Sequence, residues 1–149
     1  MNNRKPLISI ITCSWNREKY LKILAQSLKN QTYQNFEWIV ANDGSSDNTE
    51  KFIKKFAKNV NFKITYVHSN LRVGKAKLTN IMMSKIKGRY TIECDSDDYF
   101  LKNSIKYMVE IIKKNDYEKI KNFSGIIGQS VSTTGISQTY KNKKIEEVQ

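Results

Sequence analysis

The 149-residue chain has a single proline, Pro6, six glycines, two cysteines and one histidine. So little proline and glycine excludes fibrous repeats and low-complexity linkers, which depend on one or both. Cys13 and Cys94 make neither a metal-ligand spacing nor a disulfide framework, and both read as small buried residues in a reducing compartment. His68 stands where a strand should end, with nothing nearby to form a dyad, and receives no catalytic role. No apolar run is long enough for a membrane span or a signal peptide, and the polar residues 1–6 lead straight into a strand-like stretch. The expected location is cytoplasmic.

Acidic residues are scarce as well, 14 against 26 Lys and Arg, for a formal net charge of +12. A surface that basic attracts nucleic acid, anionic lipid or phosphorylated small molecules. The lysines are spread over every segment among Asn and Ile, which points first to a general compositional bias. Peripheral association with the inner face of an anionic membrane is the second expectation.

What is present alternates between two periods. Residues 7–12, 36–41, 62–67 and 89–94 read as strands, the first a continuous apolar run of the kind buried on both faces. Leu21, Leu24 and Leu28 place a helix over about residues 17–30, with Asn16 as its N-cap. Phe52, Ile53 and Phe56 give a second helix, with Asp47 and Glu50 as its capping box. Leu78, Ile81, Met82 and Ile86 give a third, closed by Gly88 at its C-terminus. Leu101, Ile105, Met108, Val109 and Ile112 space out a fourth. Residues 123–129 and 137–140, joined by a turn at Thr133, Thr134 and Gly135, predict a terminal hairpin. The domain is expected over residues 1–140, followed by a charged, frayed tail at 141–149. Strict alternation of this kind predicts an α/β fold, a mostly parallel sheet with helices on both faces.

Ligands of such sheets bind beyond the carboxyl ends of the strands. Three of the four strand exits carry ligand chemistry. The first, Cys13-Ser14-Trp15-Asn16, offers an aromatic plate with hydroxyl and amide groups. The second, Asn42-Asp43-Gly44-Ser45-Ser46-Asp47, sets a carboxylate on a glycine turn at a helix entrance. The fourth, Asp95-Ser96-Asp97-Asp98, packs three carboxylates into four positions, where like charges repel by about 1 kcal/mol even in water. Mn²⁺ or Mg²⁺ would relieve that repulsion, since both take carboxylate oxygens and Mg²⁺ leaves room for substrate phosphates. A solvated acidic loop that caps the next helix is the plainer reading of the same four residues.

Taken in order, the run from Leu7 through Trp15 to Arg17, the run from Ser27 to Glu37, the turn Asn42-Asp43-Gly44-Ser45-Ser46-Asp47-Asn48-Thr49 and the acids Asp95-Ser96-Asp97-Asp98 resemble the nucleotide-sugar half of a family 2 glycosyltransferase. The likeness covers about residues 7–105. It implies a GT-A (Rossmann-like) fold and an inverting transferase of cell-surface polysaccharide biosynthesis that takes a nucleoside diphosphate sugar, UDP-linked by preference, and a glycan or lipid-linked acceptor. It further implies that Trp15, with Cys13 and Asn16 beside it, packs on the nucleobase and that Asp43 hydrogen-bonds it. Asp95 and Ser96 would face the ribose and diphosphate, Asp97 would ligate the metal, and Asp95 and Asp98 are further candidate ligands. Lys75 lies in the basic stretch Arg72-Val73-Gly74-Lys75 that opens the third helix, where amide donors also favour an anion. The base that deprotonates the acceptor is expected beyond Gln149, so no catalytic residue is assigned and the chain alone is expected to transfer little sugar. Asn42 departs from the family pattern, which often has an acid there.

Two other classes compete. A metal-dependent phosphotransferase with an Asp nucleophile would carry its DxD motif on the first strand and would need later motifs that are missing. A basic nucleic-acid-binding module would need an aromatic RNA-binding sheet, and the acid cluster would repel a phosphate backbone, so no nucleic acid partner is expected. Gly74-Lys75 lacks the remainder of a phosphate-binding loop.

Overall fold

The computed structural model describes residues 5–114. Four strands and four helices alternate along them: β1 (Ile8–Ser14), α1 (Glu18–Lys29), β2 (Phe36–Asp43), α2 (Thr49–Ala57), β3 (Lys63–Ser69), α3 (Lys75–Met83), β4 (Tyr90–Glu93) and α4 (Ser104–Lys114). The strands form one sheet in the order β3-β2-β1-β4. All three pairings are parallel, with Ile8 opposite both Phe36 and Tyr90 and Glu37 opposite Lys63. The α/β architecture anticipated from periodicity is therefore present. The expected terminal hairpin and tail lie outside the described residues.

Side chains alternate across the sheet with period two, and each face buries its own core. On one face Ile8, Ile10, Phe36, Trp38 and Val40 pack against Leu21, Leu24, Ala25 and Leu28 of α1, Ile53 of α2, and Ile105 and Val109 of α4. On the other, Ile11, Ile39, Ala41 and Val67 meet Leu78 and Met82 of α3. Every residue of β2 is buried, because it lies between two strands and two helical layers. The Trp38 indole N–H reaches the Thr12 hydroxyl at 3.1 Å, so this large ring is buried without an unmet donor.

Three helix boundaries differ from the sequence expectation. Asn16 does not cap α1; it has a left-handed backbone, φ 50°, and Arg17 holds the N-cap position without a side-chain cap. Asp47 does that work instead, accepting the Glu18 amide at 2.9 Å. The same carboxylate accepts the Thr49 amide at 3.1 Å, but Glu50 pairs with Lys54, so no capping box closes on α2. Gly88 does not end α3, which stops at Met83 with Ser84 after it. Gly88 packs against β1, where its amide donates to Ser9 Oγ at 2.8 Å. A Cβ there would lie 2.5 Å from the Ser9 nitrogen, so close approach is what requires glycine. Ser9 Oγ in turn donates to the buried Glu37 at 2.7 Å, which also accepts the Lys87 amide at 2.7 Å, tying the entry of β4 to the sheet.

Candidate active site

Because every strand runs the same way, all four exits leave along one edge of the sheet, and the structure ties them together by side-chain contacts. The Asn16 backbone N–H donates to Ser45 Oγ at 2.9 Å, and Asn16 Oδ1 accepts the Ser46 amide at 2.8 Å. The β1 exit is thus clamped to the β2 exit. Asn42 secures the turn from inside, accepting the Ser45 amide at 3.0 Å and donating to the Tyr66 hydroxyl at 2.9 Å. An amide can make both bonds, which is a local reason for asparagine where the family pattern often has an acid.

Asp43 is 6% exposed and joins the β2 exit to the β3 exit. Its Oδ1 accepts the Val73 amide at 2.6 Å, and Oδ2 accepts the Gly74 amide at 3.1 Å. The neighbouring Gly44 has φ +68°, and a Cβ on it would come within 2.8 Å of the Leu71 carbonyl carbon. Only glycine allows the two loops to meet at that distance. The Trp15 indole is 41% exposed, with the Arg72 guanidinium carbon 3.8 Å from its ring centroid, a cation–π contact between the first exit and the third.

The acid cluster joins the same rim. Lys75, the first residue of α3, donates to Asp95 at 2.7 Å and pairs with Glu93 at 3.0 Å. These two carboxylates raise the Lys75 pKa, so the side chain stays charged. Asp97 pairs with Arg17 of the β1 exit. Ser96 is buried. Asp98 carries its amide on the Asp95 carbonyl at 3.1 Å; burial, and then the charges of Asp95 and Asp97, raise its carboxyl above the ordinary range. Among the described residues no three His, Cys, Asp or Glu side chains are arranged to hold a metal ion by themselves.

The sulfur of Cys13 lies 3.9 Å from both the Lys75 carbonyl and Thr79 Oγ1, beneath the rim, and burial raises its pKa. Cys94 is pushed up to about 12, mainly by burial. Both are inert thiols at neutral pH. His68 stacks on Tyr66 and bonds Asn70 at 2.8 Å, with no part in the rim. Sequence reasoning gave Arg17 and Glu93 no place in this site, and took only Lys75 from the basic stretch that also holds Arg72. Arg17 and Arg72 lay within the stretches it quoted, but their partners are distant in sequence and no local pattern signals such pairs.

The family profile of glycosyl transferase family 2 matches residues 9–143. An uncharacterized glycosyltransferase of Haemophilus influenzae is 34% identical over 112 residues, covering 75% of this chain and 34% of its own. The UDP-Glc:alpha-D-GlcNAc-diphosphoundecaprenol beta-1,3-glucosyltransferase WfgD of Escherichia coli is 31% identical over 138 residues, 88% of this chain and 53% of that one. The chain therefore spans between a third and about half of these two relatives. Residues 1–349 of TarS from Staphylococcus aureus, solved with UDP-GlcNAc, superpose with a TM-score of 0.66 at 29% identity, covering 73% of this chain and 32% of that one. The same TarS fragment is also solved with UDP. The fold is that of the GT-A glycosyltransferases, and this chain belongs to glycosyl transferase family 2.

Proposed function

We propose that the chain is the donor-binding part of an inverting glycosyltransferase that takes a UDP-linked sugar with a divalent cation and serves a glycan or lipid-linked acceptor. The observation that carries this reading is the convergence of four strand exits, through Asn16–Ser45, Asp43–Val73, Trp15–Arg72 and Lys75–Asp95, on one rim. Support for uridine comes from the UDP and UDP-GlcNAc complexes of TarS and from WfgD, whose name gives UDP-Glc as its donor.

In this reading Trp15 offers its indole to the nucleobase, flanked by Cys13 and Asn16. Asp43 keeps lone-pair capacity on Oδ2 for a base N–H while holding the Val73–Gly74 turn. Asp95 and Ser96 face the ribose, and Lys75 serves the diphosphate. The donor chemistry, carboxylate oxygens alone, fits Mn²⁺ or Mg²⁺: Asp97 would hold the ion, with Asp95 and Asp98 as further candidates. Bound there, the cation supplies Lewis-acid stabilisation of the departing diphosphate. The substrate's phosphates would complete its shell, which agrees with a site that is not a cage on its own. Among the described residues no helix is long and apolar enough to cross a membrane. Peripheral contact with an anionic membrane belongs to the same reading, and its support is the net charge of +12.

Calorimetry with UDP, GDP and CDP, each with and without Mn²⁺, tests this assignment. UDP is expected to bind in the micromolar to millimolar range only with Mn²⁺, and Asp97→Ala is expected to lose that binding. Equal, metal-independent binding by both proteins would overturn the role of Asp97.

A further inference from the structure

Arg17 closes the first of the stretches that carry the family resemblance but has no role in the reading above, yet its guanidinium sits on the Asp97 carboxylate, across 80 residues of sequence. We propose that Arg17 is a mobile counter-ion of the donor site, one that neutralises Asp97 while no cation is bound and passes to the donor's diphosphate when the divalent ion takes that carboxylate. This rests on the donor-site reading and adds to it a residue and an exchange that the reading does not contain.

Three observations carry the inference. First, the backbone beneath Arg17 is fixed. Asn16 before it is clamped by Ser45 and Ser46, the Glu18 amide after it is held by Asp47, and the Arg17 carbonyl accepts the Leu21 amide at 2.9 Å. The anchor is rigid while the side chain is not enclosed: the Arg17 and Asp97 side chains are 45% and 48% exposed. The long arm can therefore swing without disturbing the fold.

Second, the acids are crowded and their cations exposed. Glu93 at the end of β4 and Asp95, Asp97 and Asp98 after it bring four carboxylates together, and among the described residues Lys75 and Arg17 pair with three of them. A divalent ion arriving at Asp97 would meet Arg17 already on that carboxylate. Third, a guanidinium is a permanent charge whose planar fork suits carboxylate and phosphate oxygens alike, so the same group can change partners. The Tyr20 ring, 5.8 Å from the guanidinium carbon, offers a third resting contact along the way.

The test is Mn²⁺ binding to the 149-residue chain followed by electron paramagnetic resonance, and UDP binding in saturating Mn²⁺ by calorimetry, on wild type, Arg17→Gln and Arg17→Lys. With its competitor gone, Arg17→Gln should bind Mn²⁺ alone about two- to fivefold more tightly, the scale of an exposed ion pair. In saturating Mn²⁺ it should bind UDP about tenfold more weakly, the scale of a lost charged hydrogen bond. Arg17→Lys should fall between the two in both assays and controls for folding. Unchanged or weaker Mn²⁺ binding by Arg17→Gln, with UDP affinity intact, overturns the exchange while leaving the role of Asp97 standing. A wild-type chain that binds no Mn²⁺ even with UDP overturns both.

Discussion

Asp98 shows what the acid loop costs the fold. Its carboxyl is raised from 3.8 by burial and by its two neighbours, so the folded chain holds that proton more tightly than the unfolded chain. Stability therefore falls as pH rises from 3.8 through the folded value. Asp98→Asn is expected to raise the melting temperature by about 2 °C at pH 7 in EDTA, with the gain absent near pH 3, where the carboxyl is protonated in both states. Thermal unfolding at the two pH values checks this. A gain of equal size at pH 3 would mean that packing, not charge, accounts for it. Residue types near this loop were legible in the sequence because the acids, Trp15 and Asp43 all fall at strand exits, while their expected roles came only with the family resemblance. Their pairings were not: Arg17 with Asp97 and Lys75 with Glu93 join segments 80 and 18 residues apart, which only the folded chain brings together.

At the scale of elements, Asp47 is the join between two helices. One oxygen accepts the first amide of α1 and the other accepts the first amide of α2. Burial works against ionisation there, but hydrogen bonds from Thr49 and Glu18 outweigh it and hold the carboxyl below its usual 3.8. The stabilisation is thus present above that value and is lost as pH falls through the lowered one. Asp47→Ala is expected to cost about 2 kcal/mol in urea unfolding at pH 7, since it uncaps two helices, and to do so with the Asn16–Ser46 clamp loosened beside it. A loss below about 0.5 kcal/mol would show that water replaces the caps at no cost. The sequence placed every described strand and helix, because apolar periodicity is local. It misplaced their caps, because the carboxylate that starts α1 comes from the far side of another loop, and because Gly88 answers to Ser9 and not to its own helix.

At the scale of the whole molecule, the parallel sheet brings the separate strand exits to one edge, and this topological step was readable from alternation alone. The two faces are filled by α1, α2 and α4 on one side and α3 on the other, so the rim between them has rigid support. The excess of basic residues is a property of the surface that the fold neither needs nor explains. With a formal charge of +12, the chain is expected to sediment with phosphatidylglycerol-containing vesicles, to stay in solution with phosphatidylcholine alone, and to be released by added salt. Equal sedimentation with both vesicles would remove an electrostatic membrane contact.

The central claim, that four strand exits form one donor site, is tested most directly by paramagnetic line broadening in amide-resolved NMR spectra of the chain with UDP and substoichiometric Mn²⁺. The account predicts that the amides of residues 14–17, 43–46, 72–75 and 95–98 broaden together, while Glu37, Lys87 and Gly88 at the opposite edge of the sheet keep their intensity. Broadening confined to 95–98, or scattered over the lysine-rich helices with residues 14–17 and 43–46 untouched, would contradict it.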